Sequence, residues 1–484
     1  MDITEGIVHN DARSAPYGAS LFVKTYVMWL GAICACVIVY AVIWPREAST
    51  PAEREALAQG RTVIVYWDRH SGHEHEARRA LIDEFNHSQN DVYVRALSIG
   101  YNTLMEKMLT SIAGGSPPDI CALDGTIMAQ LVGQGCFMPL ENLMKQNPHL
   151  DEEAFFPYIW RTVAFDGHVW GIPTTTDTYC LLWNKQAFHK VGLDPEQPPQ
   201  TMDELLQYAE RLTIRDETGI QQIGFLPWQP WDLTHMWGLL FGGEWYDEKT
   251  GLLTCADDPK LIRMFEWQRS FALDPNSKSN PPYAMDPERI MSFQQGFGAY
   301  MSANNPFYSG KIAMITEGEW QVTFIPKYAP ELDWGVAFIP TPDGAPPRAY
   351  GPTCVADCIP NGCRNVEAAW KYLQWFYSPR PNGGASPAAD YNYAIHNVPA
   401  RIREAQEERF VGDPKFRVFV DVLLQRETVC APVTPATQFM MDEIERQREL
   451  VVFRKTTPRE ALRFIQDKVN TELLEARDLM TRSK

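Results

Sequence analysis

Residues 61–124 read RTVIVYWDRHSGHEHEARRALIDEFNHSQNDVYVRALSIGYNTLMEKMLTSIAGGSPPDICALD, and this stretch decides the fold. It opens with the uninterrupted β-forming run Thr62–Trp67, which predicts a strand buried on both faces, as in a parallel sheet covered by helices. A helix should follow, because Ala77, Leu81 and Phe85 recur on one helical face.

The alternation of strand and helix then continues along the chain. Val92, Val94 and Ala96 predict a second strand, and the apolar stripe within residues 104–112 predicts a second helix. The run Gly114–Pro118 ends that helix and leads into a third strand. This βαβαβ order is typical of an open α/β sheet with parallel strands.

Ligands of such sheets bind beyond the carboxyl ends of the strands. Trp67 and Asp68 end the first predicted strand, Arg69 follows it, and Asp124 follows the third. We therefore expect these side chains at a cleft. Three capping boxes mark helix starts: Ser71 with Glu74, Thr201 with Glu204, and Thr457 with Glu460. Residues 281–306, rich in Pro, Asn and Ser, read as a long surface loop.

Composition bounds the class of protein. A chain of 484 residues predicts two or more domains. The formal net charge of -17 argues against nucleic acid and against adsorption of the folded part to anionic lipid. Fifteen Trp exceed ordinary usage; most suit core packing, and several could line a groove that stacks on sugar rings. The ten Cys contain no CxxC pair, so a zinc site is not predicted, whereas disulfides stay open.

Residues 26–44 read YVMWLGAICACVIVYAVIW, a run of about 19 residues without a charge, which is long enough to cross a bilayer. We predict an uncleaved transmembrane anchor, with residues 1–25 cytoplasmic and residues 45–60 an unpatterned tether. Cleavage as a signal peptide and lipidation remain the alternatives.

Ordered segments further along the chain resemble the family 1 extracellular solute-binding proteins, the group that contains maltose-binding proteins. Together they span most of residues 61–475. The segments are GGSPPDI (114–120), DGHVWGIP (166–173), WNK (183–185), VGL (191–193), PQTMDEL (199–205), SGKIAM (309–314), GEW (318–320), WGVAFIP (334–340) and AAWKYL (368–373).

The resemblance implies a two-lobed periplasmic-binding-protein fold, type II-like, in which the chain crosses a hinge several times. Lobe 1 would hold residues 61–172 and about 356–405, and lobe 2 residues 177–350 and about 412–475. The crossings would fall near residues 172–177, 350–359 and 401–413. Such receptors close on their ligand by rotation about the hinge.

The resemblance also implies a function: an extracytoplasmic receptor that captures a carbohydrate and delivers it to the permease of an ABC importer. It is not an enzyme in this interpretation, and no cofactor or metal is expected. The candidate ligand-binding residues are Trp67, Asp68, Asp124, Asp177, Trp228, Trp231, Asp232, Glu319, Trp320, Tyr350 and Gly351. Among them, indoles would stack on ring CH faces and carboxylates would accept from hydroxyls.

Alternatives stay open at this stage. A glycoside hydrolase would use paired carboxylates flanking the scissile bond, and a membrane-anchored sensor or scaffold would need a partner. The sequence contains no HExxH, GxSxG or Walker A motif. Glycerol phosphate, polyamine and peptide ligands also fit a receptor; a phosphate would need several cleft arginines, and only Arg69 and Arg401 are candidates.

Overall fold

The computed structural model describes residues 50–145, 147–231, 233–381 and 383–483. Residues 1–59 and residues 60–484 form two separate compact units. In the described part of the first, helix α1 (Pro51–Ala58) starts at a capping box between Thr50 and Glu53, with Pro51 at the first helical position. The expectation that residues 45–60 are unpatterned misses this helix, because a cap and good helix formers coincide there. The role of the segment as a tether stays a prediction.

Helices and strands alternate through the second unit. Its strands are β1 (Thr62–Asp68), β2 (Val92–Ser98), β3 (Ile120–Asp124), β4 (Ala164–Phe165), β5 (His168–Val169), β6 (Ile172–Thr176), β7 (Tyr179–Asn184), β8 (Ile214–Asp216), β9 (Gly219–Phe225), β10 (Tyr246–Asp247), β11 (Leu252–Leu253), β12 (Ile312–Gly318), β13 (Trp334–Ala337), β14 (Arg348–Tyr350), β15 (Cys354–Cys358), β16 (Val398–Pro399) and β17 (Glu427–Val429).

Its helices are α2 (Gly72–Ser88), α3 (Tyr101–Ala113), α4 (Met128–Gly133), α5 (Glu141–Met144), α6 (Pro157–Val163), α7 (Lys185–Lys190), α8 (Met202–Leu212), α9 (Thr234–Leu240), α10 (Pro259–Arg269), α11 (Pro287–Gln294), α12 (Gln321–Tyr328), α13 (Val366–Tyr377), α14 (Pro387–Ile395), α15 (Ile402–Ala405), α16 (Glu408–Val411), α17 (Pro414–Gln425), α18 (Thr437–Val452) and α19 (Pro458–Ser483).

Two mixed sheets organise these elements. The first has the order β16-β6-β15-β3-β1-β2, and the second has the order β13-β7-β12-β9-β8. Strand β1 pairs in parallel with β2 and β3, as the βαβαβ pattern predicts. The same sheet continues with β15, β6 and β16, each of which pairs antiparallel with its neighbours. The sequence pattern of residues 61–124 could not predict these strands, because they come from later in the chain.

The chain passes between the sheets more than once. Asp177 and Thr178 join β6 of the first sheet to β7 of the second. Strand β14 pairs with β17 in a separate two-stranded ladder, and the chain then enters β15 of the first sheet. After β16, helices α15 and α16 lead to α17, which packs on β13 and β7 of the second sheet. The result is a two-lobed α/β architecture with crossing segments between the lobes.

Helix caps test the local predictions. Thr457 and Glu460 bond reciprocally, so that box is confirmed. Thr201 caps its helix by accepting from the Glu204 amide at 3.1 Å, but the Glu204 carboxylate accepts from the Gln200 amide, so only half of that box forms. Ser71 precedes α2 but caps nothing with its side chain, so that box was wrong. The reason is Gly72, whose φ of 55° turns the chain away from helical geometry at this end.

The surface-loop prediction for residues 281–306 was wrong in part, because helix α11 lies inside it. Asp286 caps this helix by accepting from the amides of Glu288 and Arg289, and Pro287 occupies the first helical position.

Within the described ranges, no helix combines the length and the hydropathy needed to cross a membrane. The predicted anchor, Tyr26–Trp44, lies outside the described residues. The eight cysteines from Cys121 to Cys430 are all unpaired, and six of them are buried.

Candidate functional site

The carboxyl end of β12 lies where the chain crosses between the sheets. Glu317 and Gly318 end this strand, and Gly318 is the ladder partner of Tyr179, the first residue of β7. Glu319 follows and accepts from the Thr178 amide at 3.2 Å. The strand end and the first crossing are thereby tied together, which places Trp320 at the edge between the lobes.

Four aromatic side chains line this edge, and we call them the aromatic wall: Trp231, Tyr300, Trp320 and Tyr179. The ring centroids of Trp231 and Tyr300 lie 4.6 Å apart, and the edge of Tyr179 meets Trp320 at 5.8 Å. Trp231 is 41% exposed, although a large apolar side chain normally prefers burial. Tyr300 and Trp320 are half-buried. The wall therefore offers flat aromatic surface to a ligand.

Gly318 explains why Trp320 can lie in the wall. A Cβ built on Gly318 would come within 2.3 Å of carbons in the Trp320 ring. The indole thus folds back over the glycine backbone, and any side chain at position 318 would displace it. The Gly-Glu-Trp segment noticed in the sequence has this steric basis.

Behind the wall lies Glu317, which is fully buried. Its Oε1 accepts from Trp231 Nε1 at 3.1 Å and from the Tyr300 hydroxyl at 2.7 Å, and its Oε2 accepts from the Gly318 amide at 2.8 Å. Burial raises the pKa of Glu317 to about 7, and the hydrogen bonds oppose the shift.

At the first crossing lie two more carboxyls, those of Asp177 and Glu319. Asp177 is half-buried and accepts from Asn397 Nδ2 at 2.7 Å. Burial, and then the neighbouring Asp177 carboxylate, raise the pKa of Glu319 well above its ordinary value. Burial also raises the pKa of Asp177, and the charge of Arg69 opposes that rise.

The opposite edge is formed by the carboxyl ends of β1 and β3. Arg69 donates to Asp124 at 2.8 Å, and Asp124 also accepts from the Thr126 amide and hydroxyl. Asp68 is fully buried and binds His70 at 3.1 Å and His75 at 2.9 Å. These bonds lower the pKa of Asp68 against the effect of its burial. They give Asp68 a role in holding the start of α2, away from the molecular surface.

Two other predicted residues, Tyr350 and Gly351, contact the residues of the crossing segments and do not form the exposed edge. Tyr350 is buried, packs on Tyr179 and bonds His235 Nε2 at 2.6 Å. Gly351 lies under the Tyr158 ring, where a Cβ would come within 2.1 Å of that ring. Tyr158 in turn bonds Thr176 and the Asp177 carbonyl at the first crossing.

Three further predicted residues lie elsewhere or outside the described part. Trp67 is half-buried within the first sheet and packs on its core. Trp228 is only 6% exposed, meets Phe271 edge-on and lies under the Arg448 guanidinium. It borders a cavity of about 330 Å³ that Trp231 does not line. Asp232 lies outside the described residues.

The sequence analysis missed Tyr300, Tyr179, Glu317 and Tyr158. Tyr300 lies in the segment interpreted as a surface loop, and no local pattern marks it as a site residue. Glu317 immediately precedes the Gly-Glu-Trp segment, so its position at the strand end was a usable signal. Tyr179 and Tyr158 act through contacts between distant segments, which no local pattern encodes.

This constellation combines aromatic faces with carboxyl, amide and hydroxyl groups, as in sites that bind a polar ligand with apolar ring faces. Among the described residues, no group of His, Cys, Asp and Glu has the arrangement needed to hold a metal ion.

Comparisons with known proteins agree with the two-lobed architecture. The structure of CpMnBP1 with mannotriose bound superposes with a TM-score of 0.72 at 26% identity, covering 84% of this chain and all of that one. The sn-glycerol-3-phosphate-binding periplasmic protein UgpB of Pectobacterium atrosepticum is 26% identical over 301 residues, which cover 61% of this chain and 64% of UgpB. An uncharacterized ABC transporter extracellular-binding protein of Pyrococcus horikoshii is 23% identical over 83% of this chain and 85% of its own length.

A family model described as bacterial extracellular solute-binding protein matches residues 71–382, well over half of the chain. With the lobes, the crossings and the interlobe edge established, the match assigns the protein: it belongs to the family of bacterial extracellular solute-binding proteins.

Proposed function

We propose that this chain is a carbohydrate receptor that delivers a mono- or oligosaccharide to the permease of an ABC importer. The aromatic wall is the observation that carries the proposal. Its rings lie at the end of β12 near the first crossing, where Asp177 and Asn397 supply polar groups, and Arg69 and Asp124 supply others at the ends of β1 and β3. A pyranose has apolar CH faces for the rings and hydroxyls for the polar groups. The relative solved with mannotriose supports the same class of ligand.

Glycerol phosphate is the second candidate, because the UgpB relative binds it by name. A phosphate dianion is bound best by arginines whose charge is not already compensated. Arg69 already pairs with Asp124. Arg401 is buried and bonds Glu404, Ser386 and the Tyr377 carbonyl, so it belongs to the fold of the first lobe. These pairings favour an uncharged sugar over a phosphate.

The proposed receptor binds without chemistry. A glycosidase needs two carboxyls that flank a bond in separate acid and base roles. Here Glu317 is enclosed by three donors, and Glu319 is buried beside Asp177. Both groups are used to organise the strand end, which supports a binding site.

Ligand binding would close two lobes, residues 61–172 with about 356–405 and residues 177–350 with about 412–475. Release to the permease would follow reopening of the hinge, since a ligand that contacts both lobes favours the closed state alone. The N-terminal run Tyr26–Trp44 would hold this receptor at the outer face of the inner membrane as an uncleaved anchor. These boundaries and the anchor are part of the proposal.

The proposal is tested by calorimetric titration and thermal shift with the purified full chain. We expect mannotriose or a related oligosaccharide to bind with a Kd on the order of micromolar, about -8 kcal/mol, and to raise the Tm by mass action. Glycerol 3-phosphate, spermidine and a tripeptide serve as competing classes. Binding by one of them alone, or turnover of the sugar to shorter products, would refute the carbohydrate receptor.

A further inference from the structure

One buried carboxyl connects three members of the aromatic wall. Glu317 Oε1 accepts from Trp231 Nε1 and from the Tyr300 hydroxyl. The same hydroxyl accepts from Trp320 Nε1 at 2.6 Å and from Gln321 Nε2 at 2.8 Å. Glu317 therefore reaches Trp231 and Tyr300 directly and Trp320 through Tyr300.

This network of hydrogen bonds fixes the orientation of wall rings whose packing contacts alone do not define one rotamer. Trp231 is 41% exposed, and its described ring contact is with Tyr300 alone. A side chain with so little cover populates several rotamers unless a hydrogen bond selects one. A buried carboxylate accepts a charge-assisted hydrogen bond, which is strong enough to favour one rotamer of the indole.

The carboxyl itself cannot reach a ligand. Glu317 has no exposed surface, and both its oxygens already accept from the chain. It is therefore distinct from residues that would touch a sugar, and its influence must pass through the rings.

We propose that Glu317 is a positioning residue, which sets the planes of Trp231, Tyr300 and Trp320 for stacking and thereby sets the affinity for the ligand. This inference rests on the proposed function, because the rings must be the surface that the ligand meets. Stacking depends strongly on the relative orientation of the planes. A ring held in one orientation also loses less conformational entropy when the ligand arrives.

The effect of the Glu317 charge can be measured by changing the pH, because its titratable neighbours do not titrate near pH 7. Among the described residues, the titratable side chains that face it are Tyr179 and Cys180 of β7 and Tyr300 and Tyr308 of the segment before β12, and each has its pKa raised by burial. They stay neutral through the neutral pH range. Because the pKa of Glu317 is about 7, its carboxylate form and its strongest hydrogen bonds develop as the pH rises through 7.

The first test does not need a ligand. The full chain is labelled with 5-fluorotryptophan, and the fluorine resonances of Trp231 and Trp320 are assigned with Trp231→Phe and Trp320→Phe. We expect Glu317→Ala to shift or broaden both resonances and to leave that of Trp375 unchanged, because Trp375 packs on Phe85 and Tyr372 in the first lobe. Unchanged Trp231 and Trp320 resonances would overturn the proposal.

The second test measures Kd for mannotriose by calorimetry. We expect Glu317→Ala to weaken binding by tenfold or more, Glu317→Gln to weaken it less because one acceptor oxygen remains, and the control Trp375→Phe to match the wild type. Affinity of the wild type should rise between pH 6 and pH 8, and that of Glu317→Gln should not.

The two tests separate the inference from the proposed function. Absence of binding by the wild type refutes the carbohydrate receptor, whereas the fluorine spectra still decide whether Glu317 positions the rings. If mannotriose binds and Glu317→Ala has the wild-type Kd, the positioning role is wrong. Glu317→Ala should reduce the affinity for mannotriose less in a Trp231→Phe/Tyr300→Phe background, where the two direct donors are gone. If the reduction is as large there as in the wild type, Glu317 acts by another route.

Discussion

Individual residues set the closest contacts of the candidate site. Gly318 and Gly351 both lie where an aromatic ring covers the backbone, under Trp320 and Tyr158. In both places the aromatic ring occupies the space where a Cβ atom would lie, so only glycine fits at the position. This reasoning needs the distances, because the sequence shows thirty-one glycines and nothing that ranks them.

We expect Gly318→Ala to weaken binding of mannotriose by about tenfold or more, or about 1.4 kcal/mol. The new methyl group would occupy the place of the Trp320 ring and turn the indole out of the wall. Near-UV circular dichroism and calorimetry with the variant measure the two effects. Gly318 is buried in β12, so we expect Tm to fall as well. Wild-type affinity would contradict the steric argument.

His235 makes stability depend on pH. It is buried against Tyr350, and burial lowers its pKa from the ordinary value of 6.5 to about 4. Between pH 6.5 and pH 4 the histidine is protonated in the unfolded chain and neutral in the folded chain. Its contribution to the free energy of unfolding is therefore complete above pH 6.5 and is lost as the pH drops towards 4. Lowering the pH from 7.5 to 5.0 should cost about 2 kcal/mol through this residue.

His235→Gln is the variant that isolates this effect, because glutamine does not titrate. Urea unfolding of the variant should show a loss between pH 7.5 and 5.0 that is smaller than the wild-type loss by about 2 kcal/mol. Equal losses in both proteins would mean that other groups account for the pH dependence.

At the scale of elements, the sequence predicts what is local. The strands β1 to β3 follow from β-forming runs, and the capping side chains of Thr201 and Thr457 follow from spacing. The antiparallel strands β6, β15 and β16 join the first sheet from later segments, so no window of the sequence contains them together with β1. The same holds for Tyr300, which reaches the wall from a segment with no strong pattern of its own.

The pairing of β14 with β17 is a second non-local element, and it carries a prediction. Gly351 follows β14 and donates its amide to Val429 of β17, under the Tyr158 ring. We expect Gly351→Ala to destabilise the protein by about 1–3 kcal/mol, the usual cost of overpacking. Tyr158→Leu in the same background should recover part of that loss in urea unfolding, and the lack of any recovery would show that the clash is not with Tyr158.

At the scale of the whole fold, residues 60–484 form a pair of lobes whose joining segments are short and bonded to one another. Tyr158 bonds the first crossing, and Thr178 donates to the Tyr350 carbonyl at the second. Two crossings tied in this way resist translation and still permit rotation about a common axis, which is the motion a hinge requires. Ligand-dependent closure follows if the sugar contacts the wall on one lobe and Arg69 or Asp124 on the other.

Small-angle X-ray scattering of the purified full chain tests that motion. We expect saturating mannotriose to decrease the radius of gyration of the protein, because the lobes approach. Trp320→Ala should show no decrease at the same concentration, since only a ligand held by both lobes favours the closed state. A decrease that persists in this variant would place the closing contacts away from the aromatic wall, and an unchanged radius for the saturated wild type would refute closure by hinge rotation.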